Sequence, residues 1–280
     1  MNKLKNLLGI DFEEWYHPEL IQKNIPIKNK TTKLVKGIDK ILDWLRKNEI
    51  YATFFVVGEL LEETPELMDK IIQNDHEIAF HSMYHKNLKL QNKETFTKEL
   101  STFQKLTQKR SIGFRAPTFS LNNSTSWLIE VLEDFNYKYD SSVVPVKTQL
   151  YGIPNAEIKP YKISQNNLQN NNHNGKIIEF PLLTTNFFGK TIPSGGGFYL
   201  RALPMKFIQN AIKHNISMNI PSSFYIHSWE LTPELMPKLQ LPWKDKFITY
   251  YNLKNALPKM DKLVKNFEFT SFSRYLSKSI

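Results

Sequence analysis

The sequence predicts an α/β protein, with repeated strand–helix units that suggest a (β/α) barrel, distorted or incomplete. Three observations lead there. Short apolar runs rich in β-branched and aromatic residues alternate with amphipathic segments along most of the chain. About seven such units recur, the number expected of a barrel or of its alternative, a doubly wound open sheet. Ionisable residues stand where the strands end, the side on which both architectures bind ligands.

In chain order, Leu7–Glu13 reads as a strand. Thr32–Asn48 reads as a helix, with Leu34, Ile38, Ile41, Leu42 and Leu45 on one face. Tyr51–Val57, closed by Gly58, is a buried strand. Thr64 and Pro65 supply an N-cap and a first-turn proline for a helix through Gln73. Glu77–Phe80 is a strand, Glu94–Thr107 a helix, Ile112–Arg115 a strand ended by Pro117, Asn123–Phe135 a helix and Tyr137–Ser141 a strand. The rhythm then breaks. A stretch at about 143–176 is rich in Pro, Asn and Gln, and Gln165–Asn174 is almost without apolar residues. It reads as an insertion or loop inside one domain covering 1–280 rather than as a linker. Ile177–Phe180 resumes a strand. Pro204–His214 follows as a helix, Ser223–His227 as a strand, Tyr251–Val264 as a helix and Phe267–Ser271 as a last strand.

A chain of 280 residues can bury a substantial core. It has no cysteine, which excludes disulfides, thiolate metal sites and a cysteine nucleophile. The formal charge is +10, but the lysines are dispersed and form no compact basic run with interleaved aromatics. A solvated basic surface is therefore expected, and no nucleic-acid partner. No stretch is long and apolar enough to span a bilayer, and the N-terminus lacks the apolar core of a secretory signal. The expectation is a cytoplasmic protein without a transmembrane segment.

The strand ends carry the chemistry. Asp11, Glu13 and Glu14 close the first strand, His81 closes Glu77–Phe80, Arg115 closes Ile112–Phe114, Asp140 closes Tyr137–Tyr139 and His227 closes Ser223–Ile226. His81-Ser-Met-Tyr-His85 puts two imidazoles four apart, and on a helical turn they would share one face and grip a cation. A carboxylate is a frequent third ligand, and an alternating strand turns Asp11 and Glu13 to the same side. One can then bind metal while the other serves as a base. His227 suits a general acid, since imidazole titrates near neutrality, and Arg115 suits an anchor for a carboxylate. His76 and His173 are assigned no role, and His214 suits a helix C-terminus. Ser194-Gly195-Gly196-Gly197 lacks the Lys-Ser/Thr of a phosphate loop and reads as a flexible rim loop. Phe198 and Tyr199 beside it could stack on a sugar ring.

At these residues the chain resembles the polysaccharide deacetylase family, the NodB-like carbohydrate esterases of family four. Ile10-Asp11-Phe12-Glu13-Glu14-Trp15 is similar to its acidic first motif, His81–His85 to its His-Ser/Thr-x-x-His motif, Arg115-Ala116-Pro117 to its Arg-x-Pro motif and Phe224-Tyr225-Ile226-His227 to its late histidine motif. The Asp-x-Glu form and the ending His-Ser-Trp-Glu resemble a branch associated with exopolysaccharide biosynthesis that carries a C-terminal extension. The resemblance implies a TIM-barrel-related fold and a metal-dependent hydrolase that removes the N-acetyl group from an amino sugar of a glycan, releasing acetate. It implies Asp11 as base, Glu13, His81 and His85 as metal ligands (with Glu14 as the alternative to Glu13), His227 as acid and Arg115 as anchor. Pro117, Phe119, Phe198, Tyr199 and Trp229 are the expected substrate contacts. The ion is a divalent metal, zinc first, with Co, Ni, Fe or Mn compatible. The family's Asp that orients the acid histidine has no clean match here, Asp140 being the one candidate. Hydrolysis of a small amide such as allantoin and non-catalytic glycan binding are the competing readings.

Overall fold

The computed structural model describes residues 4–26, 32–33 and 35–279, so Leu34 of the expected helix face lies outside the described residues. At the centre runs β1 (Asn6–Phe12), buried at all seven positions. Around it lie β2 (Thr53–Val56), β3 (Glu77–Phe80), β4 (Gly113–Phe114), β5 (Tyr139–Asp140), β6 (Tyr161–Ile163), β7 (Ile177–Glu179), β10 (Ser223–His227) and β11 (Phe269–Thr270). A separate hairpin is formed by β8 (Thr184–Phe187) and β9 (Lys190–Pro193). The main sheet runs β10-β1-β2-β3-β4-β5-β7-β6, with β11 added beside β1. All its pairings are parallel except β6 with β7. Parallel strands covered on both faces need largely apolar runs, which explains Leu7–Ile10 of β1 and Phe54–Val56 of β2.

The sheet curls into a half-barrel, the distorted (β/α) barrel expected of the sequence. Where a regular barrel would continue from β7 to β10, irregular backbone crosses the gap. Leu183 N–H donates to the Ser223 carbonyl at 3.1 Å, and Tyr225 N–H donates to the Gly195 carbonyl at 2.6 Å. The Gly-Gly-Gly segment is therefore buried wall, not the flexible rim loop expected. Gly196 adopts φ +139°, and a Cβ there would lie 1.8 Å from the Tyr225 carbonyl oxygen, so only glycine fits.

Residue alternation assigns the two faces of β1. Leu8, Ile10 and Phe12 point outward into the main core under the helices, among them Ile38–Lys47 and Lys93–Leu106. Leu7 points inward to Phe55, Tyr139, Phe180 and Phe272. Phe272 and Leu276 belong to a C-terminal helix, Phe272–Ser279, that the periodicity reading omits and that plugs one end of the half-barrel. Inward positions further along β1 then lead to the opposite, C-terminal rim.

Other differences from the sequence reading are local. Residues 143–176, expected as a loop, supply the edge strand β6 and buried Val143, Val144 and Leu168. Thr64 does not cap its helix; Pro65 occupies the N-cap with no side-chain hydrogen bond. The Tyr251–Val264 segment is a helix only over Ala256–Val264 after a short 3-10 turn, and a separate helix, Trp243–Tyr250, precedes it.

Candidate metal centre and catalytic cleft

The inward column of β1 reads Leu7, Gly9, Asp11, and Glu13 follows just past the strand. Gly9 has a steric reason: a Cβ there would lie 2.5 Å from Arg115 Nη1. The vacant side-chain space is filled by the Arg115 guanidinium, which is fully buried and lies 4.0 Å from the centre of the Phe55 ring. Arg115 Nη1 donates to Asp11 Oδ1 at 2.6 Å, while Nε donates to the Ser141 carbonyl at 3.1 Å and Nη2 to Ser141 Oγ at 3.0 Å. A buried guanidinium with its donors satisfied in this way orients Asp11 rigidly.

Glu13, His81 and His85 offer ligand atoms that all lie within 4.8 Å of one another, and all three residues are buried. His81 and His85 do not share a helical turn, contrary to expectation. Residues 81–85 form a bend in which Ser82 (φ 59°) and His85 (φ 53°) take left-handed backbone, and this folds the second imidazole back toward the first. His81 Nδ1 lies 2.7 Å from the Arg115 carbonyl, which can only accept, so His81 presents Nε2 as a lone pair. His85 Nε2 lies 2.8 Å from Glu13 Oε2, yet Glu13 Oε2 and His85 Nδ1 have no hydrogen-bond partner. Buried ligand atoms of two imidazoles and a carboxylate gathered within 4.8 Å suit a shared cation.

The two adjacent acids separate cleanly. Glu13 Oε1 accepts from the Trp229 indole N–H at 2.9 Å. Glu14 Oε1 accepts from the Val35 backbone N–H at 3.0 Å, outside the cluster. Burial pushes the Glu13 carboxyl up, but His85, His227 and His81 together hold it below the usual carboxylate range. Burial pushes His81 down to about 4, and His85 adds to this against the opposing pull of Asp11 and Glu13. His81 is thus neutral at physiological pH, the ligating form.

His227 lies beside Asp11 in the β1–β10 register, and its side chain is 20% exposed to the cleft. Its Nδ1 is 2.8 Å from Glu230 Oε2, and its ring stacks on Trp229 at 4.5 Å and 14°. Burial lowers the His227 pKa, but Glu230, Glu13 and Asp11 outweigh it and raise the value above the ordinary imidazole range. Glu230 is fully buried and paired in turn with Arg201, whose Nε donates to Glu230 Oε1 at 2.6 Å. The sequence reading missed both Glu230 and Arg201. Its candidate for orienting His227, Asp140, instead accepts from Ser142 Oγ at 2.5 Å and sits opposite Glu179 in the sheet register. The signal for Glu230 lay in the His-Ser-Trp-Glu stretch itself, since a glutamate three residues into a helix can reach back to its N-cap. His17 was also missed. It is buried, 2.5 Å from Glu59 Oε1 through Nε2, and stacks against His85 at 6.1 Å.

These groups open into a cavity of about 480 Å³ lined by Asp11, Glu13, His81, His85, Phe119, Tyr151, Phe198, Tyr199, His227 and Trp229. The size suits one or two sugar rings with apolar walls and few converging polar groups. Of the expected substrate contacts, Phe119, Phe198, Tyr199 and Trp229 line it. Pro117 does not. It is buried, and it opens the 3-10 turn that carries Thr118 and Phe119 at φ 54° and 49°. The Phe119 N–H is taken by the Ala116 carbonyl at 3.0 Å, and Thr118 faces the cavity.

Comparison with known proteins adds independent information. Residues 31–139 match the polysaccharide deacetylase family model, and residues 141–277 match a domain of unknown function, DUF3473. An uncharacterized 30.6 kDa protein of Geobacillus stearothermophilus is 28% identical over 50% of the chain and 52% of its own length. The peptidoglycan deacetylase of Helicobacter pylori is 30% identical over 39% of the chain and 37% of its own length. The chain thus aligns with about half, or less, of these relatives. Among solved structures, a candidate polysaccharide deacetylase from Mycobacterium smegmatis has TM-score 0.61 at 16% identity, covering 99% of this chain and 91% of that one. A family 4 carbohydrate esterase pseudoenzyme from Bacillus anthracis has TM-score 0.50 at 14% identity, covering 98% and 65%. Both likenesses are likenesses of fold.

Proposed function

We propose that the chain, whose residues 31–139 match the polysaccharide deacetylase family model, is a metal-dependent hydrolase that removes the N-acetyl group from an amino sugar of a polysaccharide or glycan precursor, releasing acetate. One observation carries this reading. A two-histidine, one-carboxylate cluster, an arginine-anchored aspartate and a glutamate-supported histidine all face one cavity with aromatic walls.

In the proposed site Glu13, His81 and His85 hold a divalent ion, zinc being the first candidate for two imidazoles and a carboxylate. The bound ion would lower the pKa of water and polarise the acetyl carbonyl. Asp11, held by Arg115, takes the proton from the attacking water. Thr118, whose left-handed turn lines the cavity, would offer a backbone N–H to the developing oxyanion. His227, protonated and supported by Glu230, delivers a proton to the departing amine. Trp229 serves both arms, because its N–H holds Glu13 while its ring packs on His227. Phe119, Phe198 and Tyr199 bind the sugar. Because β1 and β10 both build this site, the reading treats the whole chain as one deacetylase unit.

The test is acetate release from N-acetylglucosamine oligomers by protein stripped with a chelator and reloaded. Activity should vanish on stripping and return with zinc, cobalt, nickel, iron or manganese. Loaded protein that binds the ion at these residues but releases no acyl group from any N-acetylated glycan would overturn the proposal. Turnover of small ureides alone would assign the site to a different amide.

A further inference from the structure

The helix Trp243–Tyr250 is built inside out. Its one buried residue is Thr249, whereas Trp243 is 75% exposed and Phe247 48%. Tyr251, just past its end, is 39% exposed. The three aromatics are spaced four apart, which places them on one helix face about 6 Å apart along the axis. Such a row of large apolar side chains in water calls for an explanation.

Two features argue that the row is a built surface. First, it continues from the cavity. Phe198, a wall residue, lies 6.0 Å from the Phe247 ring and 6.1 Å from the Tyr251 ring, and Phe247 lies 4.7 Å from Tyr251. Ile248 and Thr249 of the same helix line the cavity from the other side. Second, the helix is held rigidly. Buried Arg201 donates Nη1 to the carbonyls of Thr249 and Tyr251 at 3.2 and 2.5 Å, and Nη2 to that of Ile248 at 2.8 Å. Asp245, on the helix's opposite side, accepts from Asn24 Nδ2 at 2.7 Å and Lys23 Nζ at 3.2 Å. A fixed row of aromatics loses little conformational entropy when a flat ligand stacks on it.

We propose that Phe198, Tyr251, Phe247 and Trp243 form an extended subsite on which successive rings of an N-acetylated hexosamine chain stack as the chain leaves the cavity. The substrate on this inference is an oligomer or polymer rather than a single amino sugar. The apolar faces of pyranose rings and N-acetyl methyl groups match aromatic faces, and Lys244, whose Nζ sits 5.5 Å from the Trp243 ring centre, can meet hydroxyl or acidic substituents at the far end. This inference rests on the deacetylase reading for the identity of the cavity's ligand.

The experiment is calorimetric titration of N-acetylglucosamine dimer and hexamer into the metal-loaded Asp11→Asn full chain, with and without Trp243→Ala plus Phe247→Ala. With the intact face, the hexamer should bind at least about tenfold tighter than the dimer. The double substitution should erase that advantage and leave dimer binding unchanged, while Trp243→Phe plus Phe247→Tyr retains it. No length advantage, or one that survives the double substitution, overturns the inference. A double variant that loses self-association or vesicle binding and keeps hexamer binding also overturns it. The two proposals fail separately. A Trp243-dependent hexamer advantage without acetate release from the wild type sinks the deacetylase reading alone. Acetate release with no effect of Trp243 and Phe247 sinks the subsite alone.

Discussion

Two buried arginines flank the cleft, and each holds a carboxylate at 2.6 Å. Arg115 grips Asp11 directly, and its remaining donors end on Ser141, one strand away. Arg201 grips Glu230, which in turn holds His227, and its remaining donors end on carbonyls at 248, 249 and 251. The arm of the proposed base therefore spans the inside of the half-barrel, from the ends of β4 and β5 across to β1. The arm of the proposed acid runs from the helix after the glycine wall, through Glu230, to His227, and it also pins the aromatic helix. The difference teaches that one buried pair serves a strand-end position while the other joins the acid histidine to a remote element. Both pairs are costly to desolvate, so each is better explained by the geometry it imposes than by stability.

That comparison can be broken experimentally. The largest effect is expected from Asp11→Asn, which removes the proposed base. The kcat for acetate release should fall about 10²- to 10⁴-fold with metal stoichiometry unchanged. A smaller loss would move the base elsewhere. Next come Arg115→Met and Arg201→Met. Arg115→Met strips Asp11 of its cation and Arg201→Met leaves Glu230 with His227 alone, and each loss from a buried pair should cost about 3–5 kcal/mol in urea unfolding. Arg201→Met should in addition increase hydrogen exchange in Trp243–Tyr250, and Arg115→Met should not. Equal exchange in both variants would erase the distinction between the arms.

A subtler change is Glu230→Gln. Glu230 raises the His227 pKa, and in the proposed mechanism the protonated imidazole is the acid, so activity should persist at high pH until His227 deprotonates. Removing the negative charge lowers that pKa, and the high-pH limb of kcat/KM should move to lower pH. An unmoved limb would mean that the second arm does not reach the chemistry. The smallest expected effect is Gly9→Ala. Its Cβ would press on a guanidinium fixed at both ends, at a cost of about 1–3 kcal/mol read from the urea midpoint. No change would show that Arg115 is held less rigidly than Arg201.

How much of this was legible depended on how local the cause was. The strands through Tyr139–Asp140 follow from apolar periodicity, and Glu77–Phe80 and Ser223–His227 match the expected bounds. Asp11 and Glu13 share a side because strand side chains alternate. The closeness of His81 and His85 was foreseen, but not its cause, because left-handed backbone at Ser82 and His85 leaves no periodic mark. Glu230 and Arg201 lie 29 positions apart and meet where the glycine segment before Arg201 pairs with Tyr225 of β10, the strand before Glu230. The helices Trp243–Tyr250 and Phe272–Ser279 escaped notice, the first because its apolar residues face outward and the second because it is short and terminal.

By itself, then, the sequence determined the α/β class, the strand ends that carry chemistry and the residues able to ligate a metal, since these depend on side-chain chemistry and on periods of two and 3.6 residues. The gathering of Glu13, and not Glu14, beside the two histidines, the closing of the half-barrel by glycine backbone, the arginine behind Glu230 and the outward aromatic row were set only by tertiary structure. Each depends on which distant segments share a desolvated space, and that is a property of packing that no single stretch of chain encodes.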